Sequence, residues 1–202
     1  DNEYIIAAAS KLPIMLVNGY LEGANIYSTI CDDRAAVYHA ASQLLKSGRR
    51  KLLYLYTSYS FSGVNKMAGF KEAHQNLGLE VPDTMIHQCD KDISVARDLL
   101  LKLHREGLEF DAVVTSDDSL AVGAVKFAHA AGISVPEELS IIGYNDSILA
   151  RSTDPEITSI DSKVEALCFT TINTLMGVFS GKNVPSRTTI APDLIQRQTT
   201  NF

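Results

Sequence analysis

The sequence predicts an α/β fold built on parallel sheet, and three observations predict it. Short apolar runs alternate with stretches whose apolar residues recur at helical spacing, the rhythm of βα units. Most of the helical stretches close on a glycine, a common helix stop. The composition, 202 residues with 46% hydrophobic and 21% charged, is that of an ordinary globular chain and excludes disordered and fibrous classes.

The elements follow in order. Asn2 to Lys11 reads as an amphipathic helix, and Ile14 to Val17 and Tyr27 to Ile30 as strands separated by a turn-rich Asn18 to Asn25 segment. After Asp32-Asp33, the residues Val37, Ala40, Ala41, Leu44 and Leu45 form the stripe of a core-facing helix. Lys51 to Tyr56 is a strand, Thr57 to Ser62 a hydroxyl-rich loop, and the helix after it runs to Leu77. Thr84 to Gln88 is a weak strand. It precedes a helix carrying Ala96, Leu99, Leu100 and Leu103. Asp111 to Thr115 is a strand, and Ser119 to Ala131 a helix capped by Asp117 or Asp118. Leu139 to Tyr144 and Ile157 to Ile160 are further strands, with the long helix Val164 to Phe179 after them. The last stretch, Arg187 to Gln198, reads as one edge strand broken at Pro192.

Function classes fall away one by one. Eighteen Lys and Arg against 24 Asp and Glu give a net charge of −6, with no basic stripe to neutralise phosphates, so this chain by itself is a poor nucleic-acid binder. No apolar run is long enough for a membrane span, and Asp1-Asn2-Glu3-Tyr4 is not the basic start of a signal peptide. The sequon Asn145-Asp146-Ser147 therefore carries no weight. Cys31, Cys89 and Cys168 are odd in number and lack CxxC spacing, so buried reduced thiols are expected, with no disulfide and no metal. Neither GxSxG, HExxH, an EF-hand loop nor GxGxxG after a strand is present. Gly177 to Asn183 imitates a phosphate loop but has three residues between its glycines instead of four and follows a helix. No cofactor is implied and no reaction is expected.

One constellation survives. In a parallel sheet, ligands sit outside the carboxyl ends of the strands. Polar groups gather there three times: Thr57-Ser58, Ser116-Asp117-Asp118 and Asn145-Asp146-Ser147. Such side chains donate and accept hydrogen bonds in fixed geometry, as recognition of a polyhydroxy molecule requires. Each is equally suited to cap the helix that follows it.

Val113 to Gly123, with Thr115-Ser116-Asp117-Asp118-Ser119 at its centre, and Gly132 to Asp146, with Val135-Pro136 and Gly143-Tyr144-Asn145-Asp146, closely resemble the effector-binding core of lactose-repressor family transcription regulators. Asn65-Lys66-Met67-Ala68-Gly69-Phe70, Thr158-Ser159-Ile160 and Leu194 to Thr199 extend the resemblance over nearly the whole chain. It implies two Rossmann-like parallel-sheet subdomains, related to periplasmic sugar-binding proteins, joined by three crossovers with the effector between them. The expected division is 1–49 plus 161–184 for an N-terminal subdomain and 50–160 plus 185–202 for a C-terminal one.

The resemblance also implies a site. Asn145 falls where the family binds sugar hydroxyls or a purine, and Asp117 on a position that often touches ligand. Asp118 is read as a helix cap. His87 lies near a position where some members set an aromatic ring against the ligand. Lys66 falls where an arginine usually grips the ligand, and lysine lacks the planar two-pronged donor of that arginine. The resemblance implies a cytoplasmic homodimeric regulator, a repressor by its family's name, that senses a sugar-like effector and reaches DNA through a head domain. Family members begin with that head and with a longer first subdomain, so a truncated chain lacking about three strands of about six is expected. A periplasmic-type solute-binding protein for sugar transport is the alternative. A hydrolase or sugar-modifying enzyme is disfavoured by the missing nucleophile and metal motifs.

Overall fold

The computed structural model describes residues 2–202. They form two units: one made of the chain up to Asp32 plus Lys163–Pro192, the other of Asp33–Ser162 plus Asp193–Phe202.

The first unit opens with helix α1 (Glu3–Ala9) and strands β1 (Ile14–Val17) and β2 (Ile26–Cys31). It is completed by α7 (Val164–Phe179) and β8 (Arg187–Ile190). The three strands are parallel in the order β1-β2-β8. The turn-rich segment between β1 and β2 is held by Asn18, whose Oδ1 accepts from Cys31 N at 3.1 Å. Helix α7 buries Leu167, Thr171 and Gly177. Phe169, Ile172, Met176 and Phe179 line its exposed side at helical spacing.

The second unit contains α2 (Asp33–Lys46), β3 (Leu52–Tyr56), α3 (Phe61–Gln75), β4 (Ile86–Gln88), α4 (Ile93–Arg105), β5 (Ala112–Thr115), α5 (Asp118–Ala131), β6 (Ser140–Tyr144), the short α6 (Ile148–Arg151), β7 (Thr158–Asp161) and β9 (Asp193–Ile195). Its sheet runs β4-β3-β5-β6-β7-β9, parallel throughout except for β9, which pairs antiparallel with β7. Helices cover both faces. Leu53, Leu55 and Val113 point toward Leu100, Leu120 and Phe127 of α4 and α5. Leu52, Tyr54 and Val114 point toward Val37, Leu44 and Phe70 of α2 and α3. Burial on both sides is why these strands read as continuous apolar runs instead of alternating ones.

The chain steps from β3 outward to β4 and then back past β3 to β5, so the strand order reverses between β3 and β5. That reversal opens a crevice at the carboxyl ends of the two strands.

Three features differ from expectation. The division falls at Asp32/Asp33, Ser162/Lys163 and Pro192/Asp193, not at 49/50, 160/161 and 184/185. Helix α2 lies in the second unit because its stripe of Val37, Ala40, Ala41, Leu44 and Leu45 joins Leu52 and Tyr54 in one core. The predicted broken edge strand is two strands in different sheets: β8 pairs with β2 and β9 with β7. Pro192, which has no N–H to donate, lies where the chain leaves one ladder for the other. Finally, Cys31 and Cys89 are buried thiols, whereas Cys168 is exposed on α7.

Candidate functional site

Where the strand order reverses, Thr57 N just past β3 donates to Ser116 Oγ just past β5 at 3.1 Å. Residues from four loops and from α3 meet around this point.

Asp117 is the N-cap of α5 and uses its two oxygens differently. Oδ1 accepts from Ser119 N at 3.0 Å and Ser119 Oγ at 2.7 Å, which satisfies the helix start. Oδ2 accepts from Asn145 Nδ2 at 3.0 Å and faces Lys91 Nζ at 2.7 Å. Capping the helix and meeting Asn145 and Lys91 thus belong to one side chain, one oxygen each.

Asn145 directly follows β6 with φ at 101°, a left-handed conformation that asparagine tolerates better than most residues. Its backbone N donates to Ile160 O at 2.7 Å and its Oδ1 accepts from Ser162 Oγ at 3.4 Å. The carboxamide is thereby held across the ends of β5, β6 and β7. Lys66, on the buried side of α3, sends Nζ to Ser116 O at 3.2 Å and lies over the Tyr144 ring at 3.4 Å from its centroid. Such a contact stabilises an ammonium group withdrawn from water.

Asp118 and Asp146 are committed to structure. Asp118 is not the cap; it is the first helical residue of α5. Its carboxylate accepts from Ser159 Oγ at 2.6 Å and Ser147 N at 2.7 Å, tying the loop after β6 to β7. Gly143 makes room for it, since a Cβ there would stand 2.2 Å from Asp118 Oδ1. Burial pushes the Asp118 carboxyl above its ordinary value, against the opposing pull of these hydrogen bonds. Asp146 is held by Arg151 at 2.8 Å and Arg197 at 2.6 Å.

The structure therefore brings Lys66, Asp117 and Asn145 together. It places His87 elsewhere: on the edge strand β4, paired with Leu55, with ring Nε2 bonded to Thr84 O at 2.8 Å. Two site residues escaped the sequence reading. Lys91 follows β4 in Asp90-Lys91-Asp92 and obeys the rule that singled out the other three loops, but the strand before it was weak. Tyr144 ends a predicted strand and stands in the Gly143-Tyr144-Asn145-Asp146 segment, but nothing in the sequence shows that its ring faces a lysine. Among the described residues no group of three His, Cys, Asp or Glu is placed to hold a metal ion, and no helix is long and apolar enough to cross a membrane.

Residues 41–200 match the periplasmic binding protein-like domain. An HTH-type transcriptional regulator of Lachnoclostridium phytofermentans is 49% identical over 202 residues, all of this chain and 61% of the relative. AscG, an HTH-type transcriptional regulator of Escherichia coli, is 28% identical over 193 residues, 95% of this chain and 57% of its own length. The chain thus spans about three fifths of the curated relatives it matches. Among solved structures, a sugar-binding transcriptional regulator of the LacI family from Escherichia coli, complexed with phosphate, superposes with a TM-score of 0.88 at 28% identity, over 98% of this chain and 71% of that one. The Escherichia coli repressor AscG gives 0.86 at 28% identity, over 98% and 72%. With its parallel sheets, its polar cluster at the strand ends and these relatives, the chain belongs to the periplasmic binding protein-like domain family, in the form carried by LacI-family transcriptional regulators.

Proposed function

We propose that this chain is the effector-sensing core of a DNA-binding transcriptional regulator and that it takes a sugar or sugar derivative at the carboxyl ends of β3, β5 and β6. The observation that carries the reading is the convergence of Lys66, Asp117 and Asn145, from three separate stretches of sequence, on the crevice where the strand order reverses. A fixed carboxamide, a carboxylate and an ammonium offer donors and acceptors for vicinal hydroxyls. The names of the relatives support a regulator over a transport protein and over an enzyme. In the complete protein, ligand binding would favour one of two arrangements and so change the DNA affinity of a head domain in the cytoplasm.

Isothermal titration of the intact protein with a panel of mono- and disaccharides and their phosphates identifies the ligand class. Asn145→Ala should weaken the best of them by roughly 1–2 kcal/mol, the worth of a neutral hydrogen bond with its partner left unpaired. Unchanged affinity would remove Asn145 from the site. His87 enters the site only if its ring leaves the Thr84 carbonyl, and His87→Ala in the same titration decides whether it contributes. The intact regulator should sediment as a symmetric dimer at micromolar concentration, and a monomer there contradicts the dimeric part of the proposal.

A further inference from the structure

We infer that Asp33 is a positioning residue of this site: its buried carboxylate holds Tyr144, and the Tyr144 ring holds the Lys66 ammonium where a ligand meets it. The inference rests on the reading that Lys66 contacts the effector.

Asp33 is the first residue of α2, immediately past the point where the chain enters the second unit. It is 2% exposed, and one of its carboxylate oxygens accepts the Tyr144 hydroxyl. The other oxygen is buried without a hydrogen-bond partner, and so is the hydroxyl of Tyr54, which feels the Asp33 charge. A carboxylate so placed is costly unless charge compensates it. Two sources are in view. The helix start at α2 favours an anion, and the face of the Tyr144 ring carries a cation: Nζ of Lys66, a residue 8% exposed, lies 3.4 Å from the ring centroid.

Tyr144 transmits more than geometry. A phenol that donates to a carboxylate gains electron density in its ring, which makes the face beneath the ammonium more negative and the cation–π contact stronger. The same bond fixes the plane of the ring and so fixes where Nζ sits. The helices that carry the two charges are also locked to each other close by. One turn beyond Lys66, Gly69 packs onto α2 so tightly that a Cβ would lie 2.1 Å from Arg34 O. Asp33, Tyr144 and Lys66 therefore form one buried unit linking the entry crossover to the strand ends.

The test uses the intact protein labelled at its lysine side chains and read by NMR, with the Lys66 signal assigned by its loss in Lys66→Arg. In the wild type, ring current should displace that signal upfield from the exposed lysines. Asp33→Asn removes the charge, and Tyr144→Phe keeps the ring but loses the hydroxyl. Both should move the Lys66 signal toward the exposed position and weaken binding of the best sugar of the panel by roughly three- to tenfold. In a Lys66→Met background, Asp33→Asn should cost no further affinity, which a merely structural role would not reproduce. A folded Asp33→Asn protein with an unmoved Lys66 signal overturns the proposal; should that variant not fold, Tyr144→Phe decides on the same signal. If the signal moves in both variants while sugar affinity is unchanged in them and in Lys66→Met, Asp33 positions Lys66 and it is the ligand reading that fails.

Discussion

At the scale of single residues, neighbouring acids with the same chemical formula do different work. Asp117 and Asp118 are adjacent, yet one splits its oxygens between a helix cap and the crevice while the other is sealed among Ser147, Ser159 and Gly143. The titration of Asp118 should betray its burial. Because burial raises the Asp118 carboxyl above its ordinary value, the folded state binds that proton more tightly than the unfolded chain does. Its contribution to stability is full below that value and declines as pH rises through the raised one. Thermal melts of wild type and Asp118→Asn across this window should show the wild type losing ground to the variant as pH increases. A gap that stays constant, or widens in the wild type's favour, contradicts that environment for Asp118. The pattern Asp-Asp at the start of a helix was legible in the sequence. Which of the two caps was not, because that depends on where β7 and the Gly143 backbone lie.

At the scale of elements, the helices owe their place to how they start and what they cover. Helix α3 begins at Ser60, whose Oγ accepts from Gly63 N at 3.1 Å. Ser60→Ala should cost about 1 kcal/mol of stability, measured by urea denaturation, with the unfolding slope unchanged. Further along α3, His74 is buried with its Nδ1 on Phe70 O at 2.9 Å, and burial holds the imidazole below its ordinary value. Folding favours the neutral ring, so His74 withdraws stability as pH falls below 6.5 and restores it as pH rises. His74→Phe should flatten that part of the stability profile; an unaltered profile assigns the acid sensitivity to other groups. His74 was legible only as a helical histidine. Its lowered titration follows from burial in the folded unit, which no local pattern reports.

At the scale of the whole molecule, the last residues do more than finish a strand. Thr199 is fully buried: its Oγ1 donates to Ile141 O at 2.7 Å and accepts from Thr158 N at 2.9 Å. Thr200 shares a bond with Thr158, and Arg197 clamps Asp146. Beyond Asp193 the tail thus stitches β6, β7 and the loop that presents Asn145. Thr199→Val, nearly equal in volume, should lower stability by about 2 kcal/mol through the unpaired Thr158 N–H and Ile141 carbonyl. It should do so without a comparable loss of intrinsic ligand affinity. A neutral substitution would mean that water replaces both bonds.

The sequence by itself determined the class of fold, the order of its elements and three of the loops that carry polar side chains to the strand ends, because periodicity, helix stops and caps are local and leave their mark within a dozen residues. Family motifs at matching spacing narrowed this to two subdomains and a sensing role. Only the tertiary structure decided which unit owns α2, that the last stretch crosses between sheets at Pro192, that Lys91 meets Asp117 and Tyr144 meets Lys66, and that the His87 ring turns to the Thr84 carbonyl. It also decided that Asp33 accepts the hydroxyl of the tyrosine whose ring lies against Lys66. Most of those are facts about residues tens of positions apart, set by which surfaces bury one another and which buried charges find a partner, and no window along the chain contains both members of such a pair.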